Sequence, residues 1–361
     1  MYGPLNITPQ KLALEAYALQ QKLTAGLSTL REVDDVEYGA TRKQAVYSDG
    51  KLVLYRYIGE HVSSKPAPTA KVPLLISYAL VNRPYMVDLQ ADRSIVRQLL
   101  ALGEDVYIID WGYPDLSDRY LTLEDYVQRF IGGCVDFLRA QHKVDAINLL
   151  AICQGGVFAL CYAALNPGKL RNLITMVTPV DFHTPDNMLS NWTRDLDVDA
   201  FVDTLGNVPA DLMNMSYLML KPARLFVQKY VGLTDILDDK QQLEDFLRME
   251  KWIFDSPDQA GEAFREFIKS FYQANGFVKG GLSIGGREVS LKNVAIPVLN
   301  IYAEQDHLVP PSASRPMGKL VASKDYSELS FKGGHIGLYV SSRAQREVPS
   351  AIHAWLAKRN G

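Results

Sequence analysis

The residues Ala151-Ile152-Cys153-Gln154-Gly155-Gly156 are of types and spacing that can do chemistry. An apolar run over 146–152 stops at this small-x-Cys-x-Gly-Gly turn, and a second apolar run with helical spacing follows at once. A strand-to-helix turn of this kind lifts one side chain above a sheet edge. Serine is the usual nucleophile there, whereas this chain presents Cys153. A thiolate that attacks a thioester expels another thiolate of similar basicity, so the exchange is near energy balance and the acyl group stays reactive. A serine would hold the same acyl group as a less reactive oxoester. Cys153 therefore suits acyl transfer from a thioester such as an acyl-CoA.

Two more residues complete a catalytic order of nucleophile, acid and base. Asp306 lies in Glu304-Gln305-Asp306-His307, and His335 lies in Lys332-Gly333-Gly334-His335. Each follows a strand-like run, and in a parallel sheet the carboxyl ends of all strands share one edge, where distant residues meet. Asp181, at the end of Thr178-Pro179-Val180-Asp181, competes for the acid role. Asp306 is favoured because it follows the later strand. His307 and His183 are fallback bases that read as structural. An oxyanion hole needs two N–H donors aimed at the developing charge. Gln154, next after the nucleophile, supplies one, and Val81 in Leu80-Val81-Asn82-Arg83-Pro84 is chosen for the other. The N-terminus of the helix after the elbow favours a thiolate, as does His335. Cys134 and Cys161 sit on apolar helical faces and read as core.

The elements that must position these residues alternate along the chain. Strands are predicted at 72–79, 106–110, 146–152, 173–177, 296–303 and 326–331, and helices at 94–102, 127–138, 157–165 and 343–359. Thr122 and Asp125 resemble a capping box ahead of the second of these helices. Residues 11–31 read as a helix, 44–58 as a hairpin around Ser48-Asp49-Gly50, and 63–70 as a loop. This pattern predicts an α/β-hydrolase fold, a mostly parallel sheet with helices on both faces. Residues 1–180 and 286–361 would form that core, with an N-terminal helical extension. Residues 181–285, rich in aromatics and methionine and mostly helical, would form an inserted cap, or lid, over the edge that carries Cys153.

The chain has 361 residues, 47% of them apolar and 22% charged, with a formal net charge of −3. Nothing in this balance favours nucleic acid. The N-terminus lacks the pattern of a signal peptide, and no apolar run is long enough to span a membrane. Three cysteines with no Cys-x-x-Cys pair fit a reducing, cytoplasmic setting. The six histidines show no metal-ligand spacing, so neither a metal nor a cofactor is expected.

Five segments together resemble the polyhydroxyalkanoate synthases. They are residues 78–89 (Tyr-Ala-Leu-Val-Asn-Arg-Pro-Tyr-Met-Val-Asp-Leu), Asp110-Trp111-Gly112-Tyr113-Pro114, Ala151 to Gly156, Glu304 to His307, and Gly333-Gly334-His335. The chain departs in one place: the family's box begins with glycine, where this chain has Ala151. The resemblance is to the short catalytic subunit of the class III type. It implies that (R)-3-hydroxyacyl-CoA, with 3-hydroxybutyryl-CoA the expected monomer, is polymerised with release of CoA. Cys153 would carry the acyl chain, His335 would deprotonate the thiol, and Asp306 would help His335 activate the incoming 3-hydroxyl. It also implies a second, non-catalytic subunit, of the PhaE type rather than the PhaR type, a homo-oligomer, and residence at the surface of cytoplasmic polyester granules. Two other readings compete. One is a hydrolase with a cysteine elbow, acting on thioesters, esters or lactones. The other is a non-catalytic binding protein on the same fold.

Overall fold

Short runs of Leu, Ile and Val, buried on both sides, form the centre of the molecule. The computed structural model describes residues 38–39, 41–59, 71–221 and 229–360. The helix expected at 11–31 and the loop expected at 63–70 lie outside the described residues. Among the described residues, eight strands form one sheet in the order β1 (Lys43–Asp49), β2 (Leu52–Tyr57), β6 (Val106–Asp110), β3 (Leu74–Ser77), β7 (Ile147–Ile152), β8 (Leu170–Met176), β11 (Val298–Ala303), β12 (Tyr326–Phe331). The hairpin β1–β2 pairs antiparallel, as the Asp49-Gly50 turn predicts, and β2 is antiparallel to β6. From β6 to β12 every pairing is parallel. Small antiparallel pairs, β4 (Asp88–Gln90) with β5 (Arg93–Ser94) and β9 (Ser283–Ile284) with β10 (Arg287–Glu288), lie outside the sheet. The outer strands β1 and β12 are partly exposed, and β1 carries a register shift between Ala45 and Tyr47.

Alternation along the central strands divides the core in two. Leu75, Leu149, Ala151 and Leu173 face one cluster, while Leu74, Ile76, Leu150, Ile152 and Ile174 face the other. The first is covered by α2 (Gly132–His142) and α3 (Gln154–Leu165), the second by α1 (Ile95–Ala101) and a late helix, residues 342–357. Every residue of α3 is buried, which explains why it is apolar all round. Thr122 and Asp125 form the reciprocal bonds of a capping box, Thr122 N donating to Asp125 Oδ2 at 2.9 Å. The turn that follows, Asp125–Ile131, is π-helical before it becomes α2, a detail that apolar spacing does not reveal.

Predicted strand ends shift: the strand expected at 146–152 begins at Ile147, that expected at 296–303 begins at Val298, and two others change more. The strand expected over 72–79 is shorter, Leu74–Ser77, because beyond Ser77 the chain leaves the ladder and the Trp111 indole takes the Tyr78 carbonyl at 3.0 Å. The strand expected over 173–177 begins earlier, at Leu170, and ends at Met176, because Val177 turns to φ 44°. Between β8 and β9 the chain is helical: α4 (Met188–Thr193), α5 (Val198–Leu205), α6 (Ala210–Met219), α7 (Lys229–Ile236), α8 (Lys240–Phe254), α9 (Gly261–Phe267) and α10 (Gly276–Lys279). Val198, Val202, Val208, Phe264 and Ile268 give this insertion a small core of its own.

Candidate active site

Cys153 stands between β7 and α3 with φ 54° and ψ −121°, a backbone conformation that non-glycine residues rarely adopt. The glycines that follow make the turn possible. A Cβ on Gly155 would lie 2.5 Å from the carbonyl oxygens of Ser77 and Tyr78, and one on Gly156 would lie 1.9 Å from Thr178 Oγ1. Cys153 N donates to Met176 O at 2.8 Å, which fixes the elbow to the end of β8.

Asp306 and His335 come together because β11 and β12 run parallel in matched register, with Ala303 beside Phe331. The chains leave the sheet still paired: Glu304 N donates to Phe331 O and Gln305 N to Gly333 O, both at 2.8 Å. His335 Nδ1 then bonds Asp306 Oδ2 at 2.7 Å. The other carboxylate oxygen accepts N–H bonds from Leu308 at 2.8 Å and Val309 at 2.9 Å. Both side chains are buried, and the Cys153 sulfur is close enough to act on the charge of the His335 ring. Burial opposes charge on His335. The Asp306 carboxylate outweighs it by charge and hydrogen bond, Cys153 adds to this, and the pKa is raised to about 10. The three residues singled out from the sequence therefore lie together, with His335 bonded to Asp306 and neighbouring Cys153.

The competing residues are occupied elsewhere. Asp181 accepts the His183 N–H at 3.0 Å and the Asn275 amide at 2.9 Å, and the His183 ring bonds Tyr272 O at 2.9 Å. Cys134 and Cys161 are fully buried, and burial pushes both thiols far up. Gln154 follows Cys153 directly, and Val81 packs against the same buried cluster as Cys153. The Gln154 side chain accepts the Leu80 N–H at 3.0 Å, so the loop and the elbow are tied together. The Val81 and Gln154 N–H groups find no acceptor among the described residues, which leaves them open to an incoming oxygen.

A shell of tyrosines around Cys153 was missing from the sequence reading. Tyr78, Tyr217, Tyr272 and Tyr339 all feel the Cys153 sulfur, and burial first, then neighbouring groups including that sulfur, raise all four hydroxyls far above their usual range. They stay protonated and uncharged. Tyr217 and Tyr272 come from the insertion, Tyr217 from α6. The only hint in the sequence was the aromatic richness of 181–285.

The comparisons with known proteins agree with this geometry. Residues 73–342 match the family model described as alpha/beta hydrolase fold. The chain is 58% identical over 356 residues, covering 99% of each chain, to a protein of Allochromatium vinosum named poly(3-hydroxyalkanoate) polymerase subunit PhaC. The chain belongs to the PhaC family. A Synechocystis relative of the same name is 49% identical over 96% of this chain and 92% of its own. A solved structure described as a putative lipase from Sulfolobus solfataricus is 15% identical, covers 88% of this chain and 99% of its own, and superposes with a TM-score of 0.55. That likeness shows the fold, an α/β hydrolase. Among the described residues, no helix of this PhaC-family chain is long and apolar enough to cross a membrane.

Proposed function

We propose that this chain is the catalytic subunit of a polyhydroxyalkanoate synthase that extends a polyester from (R)-3-hydroxyacyl-CoA, with 3-hydroxybutyryl-CoA as monomer, through an acyl group carried on Cys153. The observation that supports this best is a cysteine elbow beside a hydrogen-bonded His335–Asp306 pair, in a chain of the PhaC family.

His335 takes the thiol proton, and the sulfur attacks the thioester carbonyl. The Val81 and Gln154 N–H groups receive the charge that develops on oxygen. The C–S bond to CoA breaks, and the CoA thiolate leaves with the proton held by His335. Having given its proton to CoA, His335 is neutral and free to accept another. It takes that proton from the 3-hydroxyl of the next monomer or chain end. The alkoxide attacks acyl-Cys153, an ester bond forms, and the sulfur leaves as thiolate beside a protonated His335. Asp306 holds the ring tautomer and offsets the positive charge in both halves.

That hydroxyl must reach the acyl group more often than water does. The shell of Tyr78, Tyr217, Tyr272 and Tyr339 suits this need, and residues 181–285 act as the cap that supplies two of its members. No cofactor takes part, since the CoA thioester is the substrate. A PhaE-type subunit completes the enzyme, which works in the cytoplasm at the polymer surface.

Incubation with 3-hydroxybutyryl-CoA, with and without a PhaE-type subunit, tests the proposal by following thiol release and turbidity together. Release of CoA with insoluble polymer is expected. Free 3-hydroxybutyrate as the sole product would replace the synthase with a thioesterase.

A further inference from the structure

Residues 80–84 leave the sheet beside Cys153 and enter the short helical turn Pro84–Val87. A free loop would not hold an N–H in the place an oxyanion needs, so its tethers matter. The core supplies some of them. Gln154 holds Leu80, and the Arg83 guanidinium donates to Asp110 at 2.7 Å and to Gly112 O at 3.1 Å. The rest come from the end of α8, in the insertion. Trp252 Nε1 donates to Arg83 O at 2.9 Å, and Asn82 Nδ2 donates to Ser256 Oγ at 2.7 Å. Tyr85 OH donates to Asp255 Oδ2 at 3.0 Å, and Tyr113 OH donates to the other oxygen of that carboxylate. Ser256 Oγ also lies 3.1 Å from Asn214 Oδ1 on α6, which brings a second helix of the insertion into the same contact. Trp252 is 4% exposed and packs in the buried cluster against which Val81 and Cys153 rest. The far part of α8 is anchored as well, by Arg93 to Asp245 at 2.6 Å and Arg248 to Gln90 at 2.6 Å.

Val81 thus sits between Leu80, held by the core, and Asn82 and Arg83, held by the insertion. We propose that Trp252 and Ser256 are positioning residues for the oxyanion hole, which is complete only while α8 is seated on this loop. The proposal rests on the acyl-cysteine reading given above. It makes the insertion more than a shield. Lifting α8 would leave a reactive sulfur that cannot stabilise a tetrahedral oxyanion, so an uncovered acyl-enzyme would also resist attack by water.

The test compares two reactions of the full-length chain at Cys153. Acylation by S-phenyl thioacetate passes through an oxyanion, whereas alkylation by iodoacetamide displaces iodide and needs none. Trp252→Phe, which keeps ring bulk, and Ser256→Ala should slow acylation about 10-fold to 100-fold. Alkylation should stay within about twofold, and Ser256→Thr, which keeps the hydroxyl, should restore acylation. Tyr113→Phe repeats the test at an exposed ring and should slow acylation about threefold to tenfold. Acylation at the wild-type rate in these variants would overturn the proposal, as would acylation and alkylation falling together. Polymer from 3-hydroxybutyryl-CoA is read in the same preparations. Acylation without polymer would defeat the synthase reading and leave the clasp standing.

Discussion

The Gln154 side chain accepts the Leu80 N–H at 3.0 Å, and Gln154 itself opens α3 directly after Cys153. On the proposed mechanism one residue thus serves both donors of the oxyanion hole, holding the loop that carries Val81 and offering its own N–H. Replacing it with leucine keeps its backbone N–H and frees Leu80. Gln154→Leu should therefore slow acylation about tenfold or more and destabilise the fold by about 1 kcal/mol, the worth of one buried hydrogen bond. Single-turnover acylation and urea unfolding check this, and an unaltered acylation rate would contradict the role.

Thiol chemistry should separate the three cysteines sharply. Cys134 and Cys161 are fully buried with thiols pushed far up, while Cys153 is partly accessible. Brief alkylation at pH 8 followed by mass spectrometry should find the label on Cys153 alone. Cys153→Ala should abolish CoA release. Cys134→Ala should retain most of it and lose about 1 kcal/mol of stability. Comparable loss of activity in both variants would sink the assignment of the nucleophile.

The His335–Asp306 pair sets a pH window for stability. The His335 pKa is raised from 6.5 to about 10. A raised pKa means that the folded state binds the proton more tightly, so this contribution is full below about pH 6.5 and fades as pH climbs to about 10. Asp306→Asn removes the partner carboxylate. The stability gap between wild type and Asp306→Asn should therefore narrow from pH 6.5 to pH 10 in chemical denaturation. A constant or widening gap would be wrong for this pair. The same variant should slow elongation more than acylation of Cys153, because only elongation needs His335 to draw a proton from a hydroxyl. Equal slowing of both steps would count against that division of labour.

Glycine and alanine are not interchangeable around the elbow. Gly156→Ala would drive a methyl group onto Thr178, so it should cost about 2 kcal/mol or more and remove activity. Ala151, in contrast, already carries its methyl inside β7, fully buried. Ala151→Gly should keep activity and cost about 0.5–1 kcal/mol. Melting temperatures and CoA release measured side by side test both.

Much of this site was legible in the sequence because its parts are local. Gly155 and Gly156 announce the elbow, and Gly333-Gly334-His335 follows a strand that the structure places at Tyr326–Phe331, as expected. The choice of Asp306 over Asp181 depended only on chain order, and the His335 contact agrees with it. Contacts that do not follow from the shared edge of the sheet were not legible. No spacing rule links Trp252 to Arg83, or Tyr217 to Cys153, because these residues meet only through tertiary packing. Nor does an apolar pattern disclose Asn148, Asn172, Thr175 and Asn300, buried polar residues inside β7, β8 and β11. Asn172 Nδ2 donates to Asn148 at 2.8 Å, and Thr175 to Asn300 at 3.0 Å, so these strands are cross-linked through side chains as well as backbone.

The rims of the sheet bear on how this molecule tolerates crowding. A bare strand edge is a template on which another copy can add itself, chain after chain. The irregularity between Ala45 and Tyr47 twists one rim away from that geometry, and the exposed Glu328 places a charge on the other. Molecules concentrated together would find neither border a flat template on which strand could add to strand.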